Sequence, residues 1–261
     1  FQPAIALAEG GFKVSARLNA LLANEKFLSR DPVAAAYFYD TAGQPWPVGY
    51  VLKNPELAAV LRALARQGSK ALHEGDVAQA IVAKVRQHPT NPGQLSLADL
   101  AGYQPVQREA LCTRYRVAPR DYRLCGFPPP SSGALAIGQI LGILNNTNAA
   151  TLPLQEGLNA PAPGADWLHL YTDAARLAFA ARALYAADPD FVQPPAGSWL
   201  SLLEPGYLAS RARLIGVQSM QLAQPGNPAA VRTSYAPMPA QPEYGTSHIS
   251  IVDAFGNAVA M

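Results

Sequence analysis

Charge is scarce in this sequence. Only 15% of its 261 residues are Asp, Glu, Lys or Arg, and 20 basic against 18 acidic side chains leave a net charge of +2. So small and evenly scattered a balance excludes the electrostatic footprint of a nucleic-acid binder or of a protein drawn to anionic membranes. The opening stretch Phe1–Phe12 is broken by Pro3, Glu9 and the pair Gly10 and Gly11, which suits neither a secretory leader nor a membrane span. Zinc-type cysteine spacing, a His-Glu-x-x-His pattern, a glycine-rich phosphate loop and internal repeats are all missing, so metal, cofactor and nucleotide chemistry are unsupported.

Cysteine is nearly absent as well. The two that occur, Cys112 and Cys125, flank a stretch with Tyr115, Val117 and Tyr122 suited to strands and Pro119 to Asp121 suited to a turn. A hairpin centred there brings the two cysteines opposite each other, where a cross-strand disulfide is geometrically possible. A bridge would imply maturation in an oxidising compartment such as a periplasm or the cell exterior; two buried thiols would fit a cytosolic protein.

What is plentiful is apolar residue, 49% of the chain, enough for one or two domains with a proper core. Asn54-Pro55-Glu56 offers an N-cap and a proline at the first helical position. Leu57, Val60, Leu61 and Leu64 then share one face until Gly68. Asp76 is the expected cap of a second helix striped by Val77, Ile81 and Val85. Ser96 and Asp99 form an expected capping box for a short third helix ending near Gly102.

After the hairpin, the proline-rich turn Gly126–Gly133 feeds a helix with an expected apolar face of Ile137, Ile140, Leu141 and Leu144, ended by Asn145 and Asn146; Ser131 and Ser132 are read as its N-caps. An alanine-rich helix is expected from Asp166 to Ala187, packing through Leu170, Ala174, Leu177, Ala181 and Leu184. From Gln224 to Pro242, Pro, Gly, Asn, Ser and Ala without periodicity predict an exposed, mobile linker. Two strands close the chain, His248–Val252 and Ala258–Met261, around the loop Asp253–Asn257, whose Asp253, Gly256 and Asn257 are turn residues. A hairpin alone is marginally stable, so these strands require more sheet, expected to be missing from this chain.

Alternation along the first of these strands puts Thr246, His248 and Ser250 on one side. A hydroxyl beside an imidazole is weak as chemistry. However, Gly245-Thr-Ser-His-Ile-Ser-Ile-Val-Asp-Ala-Phe-Gly-Asn-Ala-Val259 resembles the motif that opens the small subunit of gamma-glutamyltranspeptidases. Pro128-Pro-Pro-Ser-Ser-Gly133 with Gln139-Ile-Leu141 is similar to that family's Pro-Pro-Pro-Ser-Ser-Gly-Gly and its following helix. Leu97–Tyr103 and Asp188–Phe191 match in the same order along the chain. Departures are Ser247 for the second threonine, Ala134 for the second glycine, and Ala181 before Arg182 where the family usually has aspartate.

The resemblance implies an α/β fold, a helix-rich part of a four-layer αββα N-terminal-nucleophile hydrolase sandwich with its sheet incompletely represented. Residues 1–223 would be the C-terminal portion of the large-subunit region, 224–245 the linker to the processing site, and 246–261 the start of the small subunit. The bond Gly245–Thr246 would be cut by the precursor itself. Thr246 would then be the nucleophile with its own amine as base, His248 and Ser250 supporting it, with no metal or cofactor.

Glutathione or another gamma-glutamyl compound would be the donor, and water, an amino acid or a peptide the acceptor. Complementary subunit segments, expected outside this chain, would complete the site. The expected location is periplasmic or secreted, with no nucleic-acid partner and no membrane span. A related acylase acting on glutaryl cephalosporins or poly-gamma-glutamate is the alternative within the family. A catalytically inactive truncated fragment is the alternative outside enzymology.

Overall fold

The computed structural model describes residues 1–157, 161–228, 235–236 and 249–260. It is helix-rich α/β, in two compact units, residues 1–106 and 107–261.

The first unit runs α1 (Gln2–Gly10), β1 (Phe12–Lys13), α2 (Ala16–Asn24), α3 (Pro32–Phe38), β2 (Val51–Leu52), α4 (Pro55–Gln67), α5 (Lys70–His73), α6 (Gly75–Arg86) and α7 (Leu97–Ala101). The strands β1 and β2 pair antiparallel, Phe12 opposite Leu52. Gly11 makes the entry to β1 possible: its φ is +86°, and a Cβ there would stand 2.8 Å from the Leu52 carbonyl oxygen. Asn54 caps α4 as its sequence foretells, its side-chain oxygen accepting from the Leu57 N–H at 2.9 Å. The Ser96–Asp99 capping box of α7 is formed in both directions. Asp76 is a correction: Glu74 holds the N-cap position of α6, and Asp76 lies inside the first turn, where a carboxylate is favoured by the helix dipole instead. The connected core cluster here is small, Ile5 and Ala8 of α1 against Ala58 and Leu61 of α4, with Val14, Leu22, Tyr39 and Leu52 buried outside it.

The second unit runs β3 (Leu111–Val117), β4 (Arg120–Gly126), α8 (Gly133–Leu144), β5 (Leu154–Gln155), β6 (Ala162–Pro163), α9 (Ala165–Tyr185), α10 (Pro205–Ala212), β7 (Ser250–Val252) and β8 (Ala258–Ala260). Its core is built on α8, which carries no charge from end to end and only one polar side chain, the buried Gln139, and is covered on most sides, as a helix apolar nearly all round must be. Its large buried apolar side chains are Leu135, Ile140, Ile143 and Leu144; of the expected face, Leu141 is half-buried against the core and Ile137 is half exposed. Crowding on several sides replaces the single stripe that a surface helix would show. Against α8 lies α9, whose fully buried Ala174, Ala178 and Ala181 allow a close approach; Leu177 of the expected face is buried too, and Leu170 and Leu184 are half-buried against the same core. Where α10 meets α8, a Cβ on Gly142 would fall 2.4 Å from Leu208 Cδ1, so glycine sets that spacing.

Strands β3 and β4 pair antiparallel over seven positions, and Cys112 stands opposite Cys125, bonded to it as a disulfide. The turn is Ala118–Pro119; Arg120 and Asp121, expected in the turn, already belong to β4 and pair with Val117 and Arg116. The free edge of β3 is occupied by Asn145, the C-cap residue of α8. Its Nδ2 donates to the Arg114 carbonyl and its Oδ1 accepts from the Arg116 N–H, both at 3.2 Å. A side-chain amide thus does what a neighbouring strand would do. Each sheet among the described residues has two strands.

Candidate active site

The hairpin β7–β8 pairs Ser250 with Ala260, Ile251 with Val259 and Val252 with Ala258. Its register is fixed by Asp253. One carboxylate oxygen accepts from the Phe255 and Asn257 N–H groups, each at 2.9 Å, and the other from Asn257 Nδ2 at 2.8 Å. The backbone closes the same loop, Asp253 N–H to Asn257 O and Gly256 N–H to Asp253 O. Gly256 turns the chain with φ +85°, the left-handed region that glycine enters without cost. The Asn257 side-chain bond, followed by the backbone donors, holds the Asp253 carboxyl below the usual aspartate range. Asp253, Gly256 and Asn257 thus form the turn that their residue types suggest. Register matters because one slipped residue would send every side chain of β7 to the other face.

Ser250 opens β7. Gly245, Thr246 and His248 lie outside the described residues, and so does most of the expected 224–242 linker. The described part of that linker departs from the mobile, exposed stretch its composition predicts: the Gln224 carbonyl accepts from the Arg211 guanidinium and the Gly226 carbonyl from Tyr185 Oη at 2.8 Å. Proline and glycine here mark a chain fitted to a surface.

The proline-serine-glycine turn is tied to α9. Ser132 occupies the N-cap position of α8 without a capping bond, and its hydroxyl accepts from Arg182 Nε at 2.8 Å. This corrects its expected role as a cap. The neighbouring Ala181 is fully buried, which leaves no room for the usual aspartate without rearrangement. Two further residues escaped sequence reading. Asp173, fully buried on α9, accepts from Arg176 Nη1 at 2.7 Å, from Ser219 Oγ at 3.2 Å and from the Met220 N–H at 3.1 Å. Tyr235 packs edge-on against Tyr185. An aspartate interrupting the apolar stripe of α9 was the one available signal. Among the described residues no cluster of His, Cys, Asp or Glu could hold a metal ion, and no helix is long and apolar enough to cross a membrane.

A helix-rich α/β frame and a tight hairpin downstream of a Gly-Thr pair define the class first, that of the N-terminal-nucleophile hydrolases. Within it, the family model for gamma-glutamyltranspeptidase matches residues 1–261, and the chain belongs to that family. It is 33% identical over 260 residues to the acylase ACY 1 proenzyme of Pseudomonas sp. strain V22, covering 99% of this chain and 41% of that protein. To the glutathione hydrolase proenzyme of Pseudomonas aeruginosa it is 32% identical, with 99% and 41% covered. The crystal structure of Helicobacter pylori gamma-glutamyltranspeptidase superposes with a TM-score of 0.70 at 28% identity, over 89% of this chain and 63% of that one. The chain thus spans about two fifths of the length of these curated relatives.

Proposed function

We propose that the protein is a self-cleaving precursor whose mature form transfers or hydrolyses gamma-glutamyl groups through an ester on Thr246. The observation that carries this reading is the segment Gly245–Val259. It keeps the family's opening motif, and its downstream half folds as a hairpin whose register the Asp253 turn fixes, within a chain that the family model matches throughout. On this reading residues 1–223 belong to the large-subunit region, 224–245 are the linker and 246–261 begin the small subunit.

In the precursor the Thr246 hydroxyl attacks the Gly245 carbonyl. The C–N bond breaks, the nitrogen takes the proton, and an ester links the two residues; water then hydrolyses it, leaving a free α-amine on Thr246. That amine, with an ordinary pKa near 8, is the base for its own hydroxyl. It receives the hydroxyl proton as the oxygen attacks the gamma-carbonyl of the donor, and returns it to the departing amine. Water or an amino acid or peptide amine then takes the acyl group. His248 and Ser250 support the nucleophile. Glutathione suits the donor role. The Cys112–Cys125 disulfide favours a periplasmic or secreted location.

The near-equal identity to an acylase and to a glutathione hydrolase proenzyme supports a second reading, in which the same nucleophile takes a glutaryl cephalosporin. Intact mass followed over time at neutral pH, for the chain as given and for Thr246→Ala, tests the nucleophile. Splitting between Gly245 and Thr246 only when Thr246 is present is the expected result. If both chains stay whole, this polypeptide does not process itself and stands as an inactive piece. Competing gamma-glutamyl and glutaryl substrates then separate the two enzyme readings.

A further inference from the structure

The Cys112–Cys125 bond lies on the face of the β3–β4 hairpin that gathers charge. Alternate residues of a strand share a face, so Cys112, Arg114 and Arg116 of β3 stand together, opposite Cys125, Arg123 and Asp121 of β4 in that order. Asp121 serves both arginines of β3, its Oδ2 lying 3.2 Å from Arg114 Nη1 and 4.0 Å from Arg116 Nη2. The Arg123 side chain has no ion pair or hydrogen bond among the described residues. Two guanidiniums directly opposite each other are unfavourable in a sheet, and this pair is the disulfide's nearest neighbour on its face. Beside it is a cavity of about 470 Å³ whose lining includes Cys112, Arg114, Arg123, Leu200, Leu203 and Glu204. Cys112 is half-buried against that cavity, whereas Cys125 is exposed.

We propose that this cavity is a thiol–disulfide exchange site for a small thiol that bears an α-amino acid group. Arg123 is unengaged and its planar fork matches a carboxylate, while the Glu204 carboxylate is the partner for the ammonium. A simple anion would be repelled by Glu204, and a simple cation by the two guanidiniums. The bound thiolate attacks Cys112 Sγ. A new S–S bond joins the thiol to Cys112, the Cys112–Cys125 bond breaks, and its electron pair leaves on Cys125 Sγ as a thiolate. Arg123, two residues from Cys125 on the same face, favours that anion and speeds its departure. A second thiolate then attacks the sulfur of the bound thiol, releasing the small disulfide and leaving Cys112 reduced. The two cysteines take up the two protons that the thiols gave up.

The Thr246→Ala protein tests the site apart from any reaction at Thr246. It is mixed at neutral pH with cysteine, with mercaptopropionate, which has the carboxylate alone, with cysteamine, which has the ammonium alone, or with mercaptoethanol, which has neither. Acid-quenched samples are read by intact mass for the gain of one thiol. Each rate is divided by that of the same thiol with hydroxyethyl disulfide, which cancels intrinsic nucleophilicity. On this scale cysteine is expected to react about five-fold faster than mercaptoethanol, the effect of a well-placed exposed ion pair, and the difference should shrink at about 1 M salt. Equal normalised rates for all the thiols overturn the site. Mercaptopropionate or cysteamine matching cysteine overturns the amino-acid assignment. Arg123→Ala should remove the advantage of the carboxylate and Glu204→Gln that of the ammonium, each at an unchanged unfolding midpoint; a cysteine advantage kept in both variants overturns the proposal as well.

Discussion

Asp173 brings a full carboxylate into an apolar helix interface and keeps it there with three donors from Arg176, Ser219 and Met220. Removing it takes the side-chain partner from the Met220 N–H, whereas Arg176 and Ser219 are open enough to turn to water. Asp173→Ala is expected to lower stability by about 1–2 kcal/mol, read as a shift of the urea midpoint with little change in slope. Asp253 acts at the surface and its effect is local. Because its folded pKa is depressed, the turn it organises is fully stabilised above the ordinary aspartate value near 4 and loosens as pH falls through the lowered one. Amide exchange at Phe255 and Asn257, followed by NMR from pH 6 to 2, should show loss of protection with a midpoint below that of the same aspartate in an unfolded peptide. The Asp253 turn was legible because Asp, Gly and Asn at those spacings have local reasons to bend the chain. Asp173 was not, because its donors come from residues 176, 219 and 220 and nothing local brings 219 to 173.

At the level of elements, the caps of α4 and α7 were plain in the sequence, since a cap is satisfied within three residues of itself. Ser132 had the same local signature and does something else: Arg182, fifty positions on, reaches its hydroxyl first. The face of α9 was legible, with Ala174, Leu177 and Ala181 buried and Leu170 and Leu184 packed against the same core, whereas on α8 Ile137 was misplaced, since a helix packed on several sides at once has no single stripe to read. The β3–β4 hairpin was legible because its partner is its neighbour in sequence. Its disulfide closes a loop with a sequence separation of 13, for which chain entropy gives about 3 kcal/mol as an upper figure. Cys112→Ala with Cys125→Ala is expected to lose up to that amount, measured by denaturant unfolding with and without reductant. Reductant should affect the parent protein and leave the double variant unchanged.

Over the whole molecule the two units differ sharply in what holds them. In the first, the connected cluster of Ile5, Ala8 and Ala58 with Leu61 is slight, and Val14, Leu22, Tyr39 and Leu52 are buried apart from it; the second has one large cluster built on Leu135, Ile143, Leu177, Tyr185 and Leu202. Unfolding is therefore expected in two steps, the earlier belonging to residues 1–106. Ile5→Ala should move only the earlier step, by roughly 2–4 kcal/mol, and Leu177→Ala only the later one; a single transition moved by both would contradict this. By itself the sequence determined the family motif around Thr246, the capped helices, the two hairpins and the opposed cysteines, because each is set by residues close together in the chain. The tertiary structure alone decided the division at residue 106, the burial of Asp173, the Arg182–Ser132 tie and the seating of Gly226 and Tyr235 on Tyr185. Those depend on which distant surfaces meet, and close packing between distant segments leaves no periodic trace in either of them.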